Sequence, residues 1–112
     1  MSKELKNSVK FYIASLDTNG KELNHFVREK SISGLKYILS KLNGGYTVYE
    51  ALGGYLDTED KTIEEKITVI ESFTDSMTYA KVEYLKELAT QIKSHLNQES
   101  MAIQINSKMV IL

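Results

Sequence analysis

The chain has no cysteine, no proline and no tryptophan in its 112 residues, and it has a single arginine and two histidines. Without cysteine there is no disulfide framework, no thiolate nucleophile and no thiolate-held zinc or iron–sulfur cluster. That fits an intracellular or otherwise disulfide-independent protein. Without proline no stiff linker divides the chain, and its length supports one domain, residues 1–112, around one core. The opening MSKELKNSVKF lacks the continuous apolar stretch of a secretory signal. No run approaches the about 18 apolar residues of a membrane helix, so a soluble, cytoplasmic protein is expected.

The familiar chemical motifs are missing too. His25 and His95 lie far apart with no H-E-x-x-H and no nucleophile elbow, and each reads as an ordinary surface or core-edge residue. Neither dinucleotide nor P-loop glycine patterns occur. Gly44-Gly45 and Gly53-Gly54 lack the basic residue and following helix of a phosphate cradle, so turns or close packing account for them. No metal and no cofactor is expected.

What is present is a globular composition, 42% hydrophobic and 26% charged, with helix and strand periods that alternate. Residues 78–97 place Val82, Leu85, Ala89, Ile92 and Leu96 on one side of a helix with about 3.6 residues per turn, and Lys81, Glu83, Lys86, Glu87 and Lys93 on the other. Val9, Phe11 and Ile13 alternate as a strand with one buried face, followed by a turn at Asp17-Thr18-Asn19-Gly20. Residues 21–30 fit either a helix or a packed irregular segment. Ser31 caps a helix over Ile32, Leu35, Ile38, Leu39 and Leu42, stopped by Asn43-Gly44-Gly45; Gly34 inside it is either a tolerated loss or a close contact.

Thr47 to Glu50 have capping-box spacing, and a short helical turn over 47–52 is favoured over the strand that YTVY would equally suit. Tyr55 and Leu56 form a short strand, and 57–61 a polar turn. A long strand follows with Ile63, Ile67, Val69 and Phe73 inward, which puts Glu71 inward as well. The tail reads as a hairpin, 101–105 and 109–112 around Asn106-Ser107-Lys108. The expectation is an α+β fold: a two-layer sandwich of order β-α-β-β-α-β-β, with about five strands in an antiparallel or mixed sheet and two amphipathic helices on one face. No repeat and no low-complexity tract is seen.

Charge is divided along the chain. Residues 1–45 hold eight basic against four acidic residues, while 46–80 hold two lysines against eight acids. Glu64, Glu65 and Glu71 can in principle pair with Asp57 or Asp60 as acid and base, but an acid-rich surface is the simpler account. Tyr46, Tyr49 and Tyr55 flank the glycine pairs where the acids begin. With Asp57, Glu59, Asp60 and Glu64 they make a candidate protein-binding surface. The alternative is a nucleic-acid-binding accessory protein using Lys21, Lys30 and Lys36, though one arginine and a net charge of −1 weigh against it. The apolar last strand should lie at a sheet edge, and pairing it across a two-fold axis would cover it, so a homodimer is expected.

The segment GGYTVYEALGGYLDTEDKTIEEKITVIESF, the long helix after it and LNQESMAIQINSKMVIL resemble small accessory proteins encoded by bacteriophages. The resemblance covers about half the chain. It implies a non-enzymatic binder that inhibits or redirects a bacterial protein or defence enzyme, with residues 57–75 as the acidic surface.

Overall fold

A computed structural model describes residues 2–112. Its elements are β1 (Asn7–Ile13), α1 (His25–Asn43), β2 (Thr47–Leu56), β3 (Thr62–Thr74), α2 (Tyr79–His95), β4 (Ala102–Ile105) and β5 (Lys108–Ile111). The strands form one antiparallel sheet in the order β2-β3-β1-β4-β5. The α+β sandwich with both helices on one face is therefore the observed fold. No helix among the described residues is long and apolar enough to cross a membrane.

The core lies between helices and sheet. Val9, Phe11 and Ile13 of β1 and Ile103 and Ile105 of β4 meet Leu85, Leu88, Ala89 and Ile92 of α2 and Ile32, Leu35 and Leu39 of α1. Thr78 caps α2 by accepting from the Lys81 N–H, and Asn97, in the left-handed region at φ 53°, ends it. The terminal hairpin turns on Asn106, also left-handed, and its last strand is an outer edge of the sheet.

Three local expectations are corrected. Helix α1 begins at His25 rather than after Ser31, because the Asn24 side chain accepts from the Val27 N–H and starts the helix two turns earlier. Residues 47–56 form one continuous strand and no helical turn: every residue from Thr47 to Leu56 is in register with Glu71 to Thr62. A ladder of that length outweighs the local capping spacing. Gly53 sits inside it where a Cβ would collide with the Ile67 side chain.

The third correction concerns which face of β3 is buried. Ile70 opposes Phe11 in the core, so Thr68, Ser72 and Thr74 face the helices. Each hydroxyl has a partner there: Thr68 accepts from Arg28 at 2.7 Å, Ser72 accepts from Asn43 at 3.0 Å, and Thr74 accepts from Lys81 Nζ at 2.6 Å. Ile63, Ile67, Val69 and Phe73 lie on the opposite, helix-free face. Glu71 lies there too, beside Lys10 at 3.8 Å.

Candidate functional site

Strand β3 is nearly twice as long as β1. Past Thr68, which pairs with Ile13, it continues with β2 alone as a two-stranded arm. The chain leaving β1 turns back on itself: Asp17 Oδ1 accepts from the Asn19 and Lys21 N–H groups at 2.8 and 3.0 Å, and the Leu23 N–H donates to Ser15. The arm's own tip repeats that turn. Asp57 Oδ1 accepts from Glu59 and Lys61 at 2.8 and 2.9 Å, and the backbone pairing of Asp57 with Lys61 matches that of Asp17 with Lys21. Both turns spell Asp-Thr-x-x-Lys, with Gly20 and Asp60 in the left-handed position.

Between the end of β1 and the arm, Glu65 replaces the missing ladder. Its Oε2 accepts from the Leu16 N–H at 3.1 Å and the Ser15 N–H at 3.4 Å. The Leu16 carbonyl in turn accepts from Gln98 Nε2 at 2.9 Å, so the segment just after α2 is tied to the same point. A partly buried carboxylate is thus held by backbone donors at the junction of the sheet, the arm and the α2–β4 connection.

Two clefts meet at this carboxylate, and Leu16 and Glu65 line both. On the helix-free side a cleft of about 690 Å³ has Tyr12, Ile67 and Met101 among its apolar and aromatic walls, with Tyr55 and Leu56 on the arm. Its charged lining is Asp17, Asp57, Glu65 and Glu99, without a lysine, arginine or histidine. That volume lies in the range of about 300–1,000 Å³ typical of small-molecule sites. On the helix side a cleft of about 440 Å³ is lined by both signs: Glu22 and Glu64 with Arg28 and Lys66, and His25 beside them.

Chemically, the larger cleft offers a slot for a flat or apolar group, hydroxyls, and a surplus of carboxylates for a cation or a diol. Arg28 has a structural share in the smaller one: Nε donates to Ala14 at 2.8 Å, and Nη2 to Thr68 and, at 3.3 Å, to Ile13.

The residues singled out in the sequence are dispersed. Tyr55 and Asp57 line the larger cleft and Glu64 the smaller. Glu59 and Asp60 sit at the exposed arm tip, where Glu59 pairs with Lys61 at 3.6 Å. Tyr46 lies far from both clefts, 5.8 Å beneath Lys36, and Tyr49 stands on the helix-free face in register with Val69. There Tyr49 first, then Glu71, holds the Lys10 ammonium above the ordinary lysine pKa of 10.5 by favouring its charge. Lys21 belongs to the turn after β1, Lys30 and Lys36 to α1, and Lys10 to the far side of the sheet, so no single basic surface results. Asp17, Tyr12, Gln98 and Glu99 were not singled out as site residues. For Asp17 a signal exists in the recurrence of Asp-Thr-x-x-Lys at 17–21 and 57–61; Tyr12, Gln98 and Glu99 lie outside both segments and carry none.

No protein-family model matches the chain, and no curated protein matches it. Among solved structures, the whole chain superposes on a phage SAM lyase in complex with S-methyl-5′-thioadenosine, covering 92% of that chain at a TM-score of 0.68 and 10% identity. It also superposes in full on a phage SAM lyase in the apo state, covering 94% of that chain at a TM-score of 0.61 and 13% identity. At these identities the likeness establishes the fold. It also corrects the functional expectations. The likeness is full-length and to a specific phage enzyme, where the sequence suggested a partial resemblance to phage accessory proteins. It displaces the reading of the chain as a non-enzymatic binder or inhibitor. The nucleic-acid alternative finds no support in it or in the placement of the lysines.

Proposed function

We propose that the chain is an enzyme of the SAM lyase type, cleaving S-adenosylmethionine to release 5′-methylthioadenosine. The observation that carries this reading is the full-length agreement in fold with phage SAM lyase chains, with and without that nucleoside. The larger cleft supports it independently. S-adenosylmethionine carries a sulfonium cation, a ribose diol and a flat purine. The cleft pairs Asp57, Glu65 and Glu99 with Tyr12, Tyr55 and Ile67. Carboxylates accept from vicinal hydroxyls and attract the cation, and aromatic and aliphatic walls suit the base.

The chemistry balances without a co-reactant. The bond between sulfur and the γ-carbon of the methionine moiety breaks, and its electron pair stays on sulfur, which becomes the neutral thioether of 5′-methylthioadenosine. A lyase adds no water, so the four-carbon fragment satisfies its own γ-carbon. It does so by closing its carboxylate onto that carbon as a lactone, or by losing a β-proton to a base. In this chain Glu65 is the group best placed to orient the reacting end, because backbone donors hold one of its oxygens in place. The test is direct. Purified protein incubated with S-adenosylmethionine should release 5′-methylthioadenosine, followed by chromatography, with the four-carbon product identified by NMR. Absence of both turnover and nucleoside binding would overturn the reading.

A further inference from the structure

Past the last pair of β1 with β3, Ile13 with Thr68, side chains take over most of the backbone bonding of the departing chain. Arg28 donates to the Ile13 and Ala14 carbonyls, and Glu65 accepts from the Ser15 and Leu16 N–H groups. Leu16 is held twice. Its N–H donates to Glu65 Oε2 at 3.1 Å, and its carbonyl accepts from Gln98 Nε2 at 2.9 Å. Gln98 is in turn placed by the end of α2. The Asn97 N–H donates to Ser94 at 3.1 Å and the Gln98 N–H to Lys93 at 3.0 Å, with Asn97 left-handed at φ 53°. Those two bonds make the Schellman pattern, which fixes the backbone of the second residue beyond the helix cap. The half-buried Gln98 side chain then folds back, and its amide donates to Leu96 at 3.4 Å as well as to Leu16.

Helix α2 is itself fixed in the core by Leu85, Ala89 and Ile92. A chain of bonds thus runs from the helical layer through Gln98 and Leu16 to the Glu65 carboxylate. Resting on the reading above, we propose that Gln98 is a positioning residue for the lyase reaction: it holds Leu16 so that the Leu16 N–H fixes Glu65 at the reacting end. A carboxylate that loses such support costs rate more than affinity, because a misplacement of about 1 Å lowers the chemical step by up to about 100-fold.

Gln98→Met keeps the size of the side chain and removes both donated bonds. It should lower kcat for S-adenosylmethionine about tenfold, with KM and the dissociation constant of 5′-methylthioadenosine each within about twofold of wild type. In a Glu65→Gln background, where the carboxylate charge is already gone, the same substitution should lower kcat by less than about twofold more, since the two residues act as a unit. Hydrogen exchange of the Leu16 amide, followed by NMR, should quicken about tenfold in Gln98→Met. An unchanged kcat overturns the inference, as does an equal loss in both backgrounds, which would make the effect one on the scaffold alone. Weakened product binding overturns it too, by making Gln98, which lines the larger cleft, a ligand contact. Wild-type protein that neither turns over substrate nor binds the product would instead overturn the reading of the enzyme itself. Unchanged exchange at Leu16 would break the link from Gln98 to Glu65 and overturn the inference whatever the activity.

Discussion

Glu65→Gln isolates the charge of the carboxylate at the junction of the two clefts. The substitution keeps the side chain's length and an acceptor oxygen, so the Ser15 and Leu16 N–H groups at 3.4 and 3.1 Å retain a partner. What is lost is charge assistance, which roughly doubles the strength of such bonds. With one bond long and one of ordinary length, the expected loss of stability is about 0.5–1.5 kcal/mol. Toward a sulfonium substrate the cost is larger, because a carboxylate contact to a hydroxyl or cation is worth about 1.5–3 kcal/mol, or roughly 10- to 150-fold in kcat/KM. Urea unfolding followed by circular dichroism measures the first quantity, and initial rates of 5′-methylthioadenosine release measure the second. A variant that keeps kcat/KM within about twofold of wild type, while folded, would refute the placement of Glu65 at the reacting end.

Further expectations concern the scaffold. Leu85→Ala and Ile92→Ala should each destabilise by about 2–5 kcal/mol in denaturant titrations, since both side chains are buried mid-stripe on α2; losses below about 0.5 kcal/mol in both would contradict that burial. Gly34→Ala should stabilise by up to about 1 kcal/mol, because the added methyl meets nothing within 4 Å on an exposed helix position. A loss of stability there would reveal a contact the structure does not contain. Lys10 has a folded pKa above its ordinary 10.5, so its contribution is complete below that value and fades as pH rises through the raised one. Wild-type stability should therefore fall more steeply than that of Lys10→Met on the alkaline side, and parallel profiles would count against the Tyr49–Lys10–Glu71 arrangement. Strand β5 is an open edge with Met109 and Ile111 exposed. Light scattering at about 100 µM should give at least twice the monomer mass, and a monomer would show that the edge stays uncovered.

Several features were determined by local sequence, because the information needed was within one element. The apolar stripe from Val82 to Leu96 specifies α2 and the face it buries. The alternation of Val9, Phe11 and Ile13 does the same for β1, and Asn106 marks the terminal turn. The overall α+β layering follows from those pieces. Only the tertiary structure decided the others. Residues 47–52 carry nearly equal signals for helix and strand, and the ten-residue ladder with β3 settles them as strand. The faces of β3 reverse because Arg28, Asn43 and Lys81 supply partners for three inward hydroxyls, something no period-2 pattern records. The site is the extreme case. Glu65 stood in the sequence among several carboxylates with no reason to prefer it. Its position depends on β1 ending early and on two N–H groups about fifty residues away. Pairings of that separation are made by the folded sheet, and local propensity carries no trace of them.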